Sequence, residues 1–462
     1  MWRARRRVET CGLDRLSAQD LSNLRVEARG LPMHVAALAI LDGGPLRGPE
    51  GLAWLDEVRA RIEERLHLAP RLRQVLYQPG LGLGPAVWVG DAGFDIERHV
   101  RTRAIAPPGD EAALLDTCVQ LNQRPLDRSR PLWELWLLTG LASGDVAMLL
   151  RLHHVVADGT AALALFGSMF DLAPDAPSPV APTWTPAPAP SSRDLLTDNL
   201  HRHGATLRAV GSPLGHPVQA VRRLQSNAAQ LRRLLRASRA PGSSLNRAVG
   251  EHRRLLLVRG DLQRARQVAH AHGATVNDVV LAAVAGGARA LLASRAELAP
   301  GLRLRAMVPV SMRAQGEADT SGNRVGAMIV PLPVGEPDTI RLLEEIARTT
   351  AERKRQPLFQ PGGRGMQRWV VHAMAHQRMV NLFTSNLTGP ARPAYLAGAR
   401  MLEAFQIGVI QGNVTIAVGV LSYAGRLGVD IVGDADACPD LAVFATGLRR
   451  ALRDLGILDE DR

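Results

Sequence analysis

Residues Ala173 to Pro190 read APDAPSPVAPTWTPAPAP, and this tract constrains the fold more firmly than any other stretch of the chain. Proline lacks the amide hydrogen that a helix interior or a sheet ladder needs, so the tract reads as an extended linker crossing from one domain to the next. The chain has 462 residues, about three times the ~150-residue domain prior. Two large bodies are therefore expected: an N-terminal domain over 1–172, a linker and basic segment over 173–250, and a C-terminal domain over 251–462. Before the tract, helical spacing covers Leu52–Leu66 and Glu111–Leu121, and strand patterns cover Leu132–Leu138 and Val146–His153. After it, strands over Arg254–Val258 and Leu304–Val310 flank a helix over Asp278–Leu292. The class is α/β.

The formal net charge is +12, which as a bulk property points to nucleic acid or a membrane surface. Its distribution says otherwise. Residues 201–254 hold 11 arginines and one acid, Glu251, a balance of +10, and the first ten residues add +3. The remainder of the chain is close to neutral. Within the basic segment Val221, Leu224, Ala228, Leu231 and Leu235 recur at helical spacing, with Arg222, Arg223, Arg232, Arg233 and Arg236 between them. Residues 218–239 thus read as an amphipathic basic helix, suited to an anionic membrane or lipid droplet and equally to packing on its own protein. Nucleic-acid binding is disfavoured, since aromatic residues make up only 4% of the chain.

Three cysteines, Cys11, Cys118 and Cys438, form no disulfide framework and no CxxC site, which suits a reducing compartment. The N-terminus shows no apolar signal region, so a cytoplasmic enzyme is expected. Phe405 to Gly425 runs without a charge, yet Gly412-Asn413 between β-branched runs reads as a hairpin joining two strands, not a membrane span. Gly80, Gly82 and Gly84 lack the βαβ context of a dinucleotide loop, and no GxSxG elbow occurs. His372 and His376 lack the glutamate of a zinc helix, and Asp434, Asp436 and Asp440 read as a solvated loop. No metal site is expected.

The chemical signal is HHVVADG, residues 153–159. An apolar strand runs into His153 and His154, a turn carries Asp158 and Gly159, and a helix follows. Side chains alternate across a strand, so only one histidine can serve a given cleft. A strand-end imidazole titrates near neutrality and suits proton transfer. Asp158 can pin the turn, and Gly159 permits a tight bend.

The pattern HHxxxDG resembles the signature of the CoA-dependent acyltransferase superfamily. Further blocks narrow the resemblance to the bacterial wax ester synthase/acyl-CoA:diacylglycerol acyltransferase family. They are Pro32-Met33-His34, PLWELWLL (131–138), NDVVLA (277–282), VPVSMR (308–313), GNRVG (322–326), SNLTGP (385–390) and a run from Gly412 to Asp430. The resemblance implies a two-domain, chloramphenicol acetyltransferase-like fold with mixed sheets and an active-site tunnel between the halves. It implies acyl transfer from acyl-CoA, a substrate and not a cofactor, to diacylglycerol or a long-chain alcohol. His154 would be the general base, with no acyl-enzyme, and His153 would support it. Asp158 is carried over as structural, with Arg313 as its candidate partner. Asn277 is a candidate oxyanion donor, although an Asn before an Asp at a helix start also reads as an N-cap. Asn323 and Ser385 are candidate channel residues, and Pro131, Leu132 and Trp133 are expected to shape the core beneath the site. Two other readings stay open: a condensation-domain-like or polyketide-associated acyltransferase using a carrier-protein thioester, and an inactive lipid-surface protein.

Overall fold

The computed structural model describes residues 13–27, 32–46, 53–157, 159–177, 179–211, 239–311, 325–355 and 376–458. Two six-stranded sheets carry the architecture. In the first, the strands are β1 (His34–Leu41), β4 (Val100–Ala104), β5 (Trp133–Thr139), β6 (Val146–His153), β11 (Tyr395–Leu396) and β12 (Ala399–Ile407). Their order is β11-β12-β1-β6-β5-β4, antiparallel except for the parallel pair β4 and β5. The second sheet is built from β7 (Arg253–Asp261), β8 (Leu304–Ser311), β9 (Val325–Leu332), β10 (Leu382–Thr388), β13 (Ile416–Tyr423) and β14 (Arg426–Asp434). Its order is β7-β14-β13-β10-β8-β9, with β10 parallel to both of its neighbours. A short ribbon of β2 (Gln74–Tyr77) and β3 (Val87–Gly90) stands apart. This is the mixed, two-sheet α/β fold that the motif blocks lead one to expect.

Strand β6 is buried along its whole length, because both faces of the first sheet are covered. Met148, Leu150 and Leu152 face a cluster with Val58 and Ile62 of α2 (Ala53–Glu63) and Ala161 and Phe166 of α4 (Gly159–Ser168). Ala147 and Leu149 face the opposite way. They meet Leu114, Cys118 and Leu121 of α3 (Glu111–Gln123), together with Leu255, Leu257, Ala417 and Val432 of the second sheet. That layer is the seam between the halves. The outer face of the second sheet packs on α6 (Leu262–Ala271), α7 (Val276–Ser294), α8 (Thr339–Lys354) and α9 (Leu441–Asp454). Helix α7 is long and apolar enough to cross a membrane, but here it is a core helix. It lies so close to α9 that a Cβ on Gly287 would come within 2.8 Å of the Phe444 carbonyl.

Three expectations need correction. Phe405–Gly425 does contain two strands, but they form no hairpin. Strand β12 pairs with β1 in the first sheet and β13 with β14 and β10 in the second, so the Gly412-Asn413 turn carries the chain between sheets. A period of two marks a strand without saying which sheet receives it.

The Pro/Ala tract does not carry the chain across; it straps the first half. Trp184 packs edge-on to Phe94 and lies over Arg73, and Ala176 accepts a hydrogen bond from Arg61. The helix that follows, α5 (Ser192–Gly211), is held to the same half by Arg15, which pairs with Asp198 and donates to the Leu195 carbonyl. The basic segment expected as an amphipathic helix lies, apart from Arg239, outside the described residues.

Of the three aspartates read as a solvated loop, only Asp436 is exposed. Asp434 is buried and accepts hydrogen bonds from the backbone of Gly250, Asp436 and Ala437, and Asp440 is paired with Arg295.

Candidate active site

Three of the motif blocks lie side by side in strand order. Strands β1 and β6 run antiparallel with His34 opposite His153, and β5 follows on the other side. Where β6 ends, the His153 amide donates to the Leu132 carbonyl at 3.0 Å and the His154 amide to the Met33 carbonyl at 2.8 Å. The PMH and PLW blocks therefore clamp the double histidine from its two flanks. Pro131, Leu132 and Trp133 are buried, as expected of a supporting core. Trp133 donates through Nε1 to the Leu72 carbonyl at 2.8 Å, and its ring stacks on His99 at 4.7 Å.

His153 faces inward. Its Nδ1 accepts the Val155 amide at 3.0 Å, which fixes the turn that follows. Its Nε2 lies 3.3 Å from Glu27 at the end of α1 (Ala18–Glu27). The same carboxylate lies 3.2 Å from His34 Nε2 and pairs with Arg128. Neither histidine nitrogen makes a well-formed hydrogen bond to this carboxylate, so these are close polar contacts. Burial works against the charge on Glu27, but contacts from His153, His34 and Arg128 outweigh it and hold the carboxyl far below its usual range. Burial likewise depresses His153, only partly offset by Glu27.

His154 is the other kind of residue. It sits in the turn after β6, partly exposed, with Asn23 of α1 3.5 Å from its Nδ1. Asp20, Asn23 and Glu27 occupy one face of α1 at spacings of three and four, so a single helix reaches both histidines. That helix is capped by a reciprocal pair: Ser17 Oγ donates to Asp20 at 2.6 Å and accepts the Asp20 amide. Its apolar side, with Leu24, packs with Leu16, Leu132 and Val155 of the motif turn.

Gly159 opens α4, and the second sheet reaches the motif there. A Cβ on Gly159 would stand 3.7 Å from Leu387 of β10, an ordinary contact, and its backbone is not left-handed. The glycine is thus not needed for a bend; it marks where the turn faces the other half. Ser385, two residues back on β10, lies beside Gln406, whose amide donates to the Ser385 and Val420 carbonyls and so bridges the sheets. Asn277 lies in the first turn of α7. The N-cap there is Thr275, in a capping box with Asp278, and no hydrogen bond joins Asn277 to His154 among the described residues. Asp158, Arg313 and Asn323 lie outside the described residues.

Family models match almost the entire described chain. The wax ester synthase/diacylglycerol acyltransferase catalytic domain covers residues 16–280, and the corresponding C-terminal domain covers 321–456. The chain belongs to this family. A Mycobacterium tuberculosis protein named as a diacylglycerol O-acyltransferase is 31% identical over 97% of this chain and 91% of its own length. One from Mycobacterium bovis is 29% identical over 97% of both chains. Among solved structures, the wax ester synthase/diacylglycerol acyltransferase from Marinobacter aquaeolei matches with a TM-score of 0.68, at 25% identity, over 96% of this chain and 98% of that one. The first condensation domain of the calcium-dependent antibiotic synthetase shares the fold, with a TM-score of 0.61 at 17% identity over 96% and 97% of the two chains. Sequence reasoning found His153 and His154 and placed them in this family. It assigned no role to Glu27, Asn23 or Arg128, and it quoted His34 only as part of a motif block.

Proposed function

We propose that this acyltransferase moves a fatty acyl group from acyl-CoA to the hydroxyl of diacylglycerol or a long-chain alcohol, with His154 as general base. The observation that carries this reading is the contrast between the two histidines. His153 is buried, with Nδ1 accepting the Val155 amide and Nε2 facing Glu27, whereas His154 is partly exposed in a turn that faces the second sheet.

In this mechanism Nε2 of His154 takes the proton of the acceptor hydroxyl as its oxygen attacks the thioester carbonyl carbon. The tetrahedral adduct collapses by breaking the C–S bond, and the same proton passes to the departing sulfur. Ester and free CoA thiol leave, and the imidazole is restored. A preorganised oxyanion donor is worth about 3 kcal/mol in such reactions, and Asn277 is our candidate for it. Asp158 is assigned to the turn, with Arg313 as partner, and Asn323 and Ser385 to the substrate channel.

We place the enzyme in the cytoplasm and peripheral to an anionic membrane or lipid droplet, where both long-chain substrates reside. Support comes from the arginines of 218–239 and from α5, which precedes that segment in the chain and leaves Leu196 and Leu200 exposed. The test of the reaction is purified enzyme with palmitoyl-CoA and competing hexadecanol and diacylglycerol, the products separated by thin-layer chromatography. Wax ester or triacylglycerol is the expected outcome. Transfer only from an acyl-carrier thioester would contradict it.

A further inference from the structure

A neutral imidazole carries one proton on two nitrogens. It can act as a base at Nε2 only if that proton is held on Nδ1, so something must accept from Nδ1. In many acid–base sites a carboxylate or carbonyl does this. Here the group facing His154 Nδ1 is the side-chain amide of Asn23, at 3.5 Å.

Asn23 is well placed to set that choice. It is 6% exposed, and its helix is fixed at both ends and along one side. The Ser17–Asp20 box holds the N-terminus, Glu27 holds the C-terminus to His153, His34 and Arg128, and Leu24 packs against Val155. The amide has two chemically different ends of nearly equal size. With Nδ2 toward the ring, as in the present geometry, it donates to Nδ1 and puts the imidazole proton on Nε2, the end that must be free. Half a turn about Cβ–Cγ presents Oδ1 instead, and the proton moves to Nδ1.

We infer that Asn23 is the positioning residue of the reaction: its Oδ1 accepts the Nδ1–H of His154 and so presents the Nε2 lone pair to the acceptor hydroxyl. This rests on His154 being the base. Among the described residues, the other ionisable groups that bear on the ring are Asp20 on the same face of α1 and the neighbouring His153, with Glu27, His34 and Arg128 behind it. An amide orients the ring without adding a further charge to that group. Asparagine at this position thus separates orientation from electrostatic loading, which a carboxylate would combine.

The experiment is steady-state acyl transfer as a function of pH for the full chain, with wild type, Asn23→Leu, Asn23→Asp and His154→Ala compared. Asn23→Leu is expected to lower kcat roughly 10- to 100-fold while leaving KM for acyl-CoA within about twofold, because proton transfer and not binding is impaired. Asn23→Asp is expected to keep most of kcat and move the acidic limb of its pH profile upward by about one unit, as a carboxylate at this distance favours the imidazolium. Wild-type kcat in Asn23→Leu, or an unmoved acidic limb in Asn23→Asp, overturns the inference. If Asn23→Leu fails to fold by circular dichroism, the limb of Asn23→Asp decides alone. Wild type without acyl transfer would instead sink the proposed function, and His154→Ala at wild-type rate would remove the base on which the inference rests.

Discussion

Glu27 and Asp430 are carboxylates withdrawn from water in the two halves of one enzyme, and the protein holds them in opposite states. Glu27, beside the double histidine, has three partners, and they hold it charged. Asp430 lies on β14 in the seam, fully buried, among Ala417 and Val432 of the same layer. One oxygen has no hydrogen-bond partner among the described residues, and the other takes only a 3.5 Å contact from the Gly408 amide. Burial pushes its carboxyl up to about 8, against slight help from that backbone. Burial alone does not decide the state of a buried acid; the number of donors that follow it does. The half that carries the histidines is stabilised by charge, and the seam tolerates an acid only with its proton on.

The comparison predicts opposite responses to mutation and pH. The largest effect is expected from Glu27→Ala, which leaves Nε2 of the buried His153 and His34 facing no acceptor and releases the half-exposed Arg128, and should cost about 3 kcal/mol in urea unfolding near neutral pH. Because Glu27 is held below its unfolded value of 4.5, that stabilisation is present above this pH and fades as pH falls below it. An unchanged unfolding midpoint would show that the three contacts do not act together.

Asp430→Asn should act with the other sign. The unfolded chain ionises this group above 3.8, while the native state keeps the proton to about 8. Between those values the native state binds more protons, so Asp430 lowers stability progressively as pH rises and does so in full above about 8. The amide should therefore stabilise by about 2 kcal/mol at alkaline pH, some of the gain being lost to its own buried donors, and by nothing at pH 4. Equal stability of the two proteins at both ends of the range would contradict a neutral Asp430.

The smallest effect tests geometry. Asp430 faces Gly419 across the β13–β14 ladder, and a Cβ there would come within 2.1 Å of Oδ1 and 2.7 Å of Gln406 Cγ. Gly419→Ala should cost about 1–2 kcal/mol, and much of that loss should vanish in the double variant with Asp430→Gly. Additive effects would mean that Asp430 is not what fills the space over the glycine.

These two sites also mark what can be read without coordinates. Val146–His153 is legible as a strand because an apolar run, broken only by Arg151, stops at two histidines, and the motif blocks on its flanks confirm its setting. The fold class follows from the same blocks. Asn23 and Glu27 carry no such mark: AQDLSNLRVE reads as one more polar helix, and its targets His153, His154 and Arg128 lie more than a hundred residues away. Asp430 is hidden for a related reason, since one acid in a β-branched strand does not say whether it faces solvent or seam. The false hairpin has the same origin, for alternation specifies a strand and leaves its partner open.

The central claim is that His154 moves the proton. The direct measurement is the initial rate of CoA thiol release from acyl-CoA in the presence of diacylglycerol or hexadecanol, for wild type and a folded His154→Ala. The account predicts a fall of roughly 100-fold or more, the usual contribution of a general base, with thermal unfolding little changed because His154 is partly exposed. A variant that releases CoA within about threefold of the wild-type rate would contradict it.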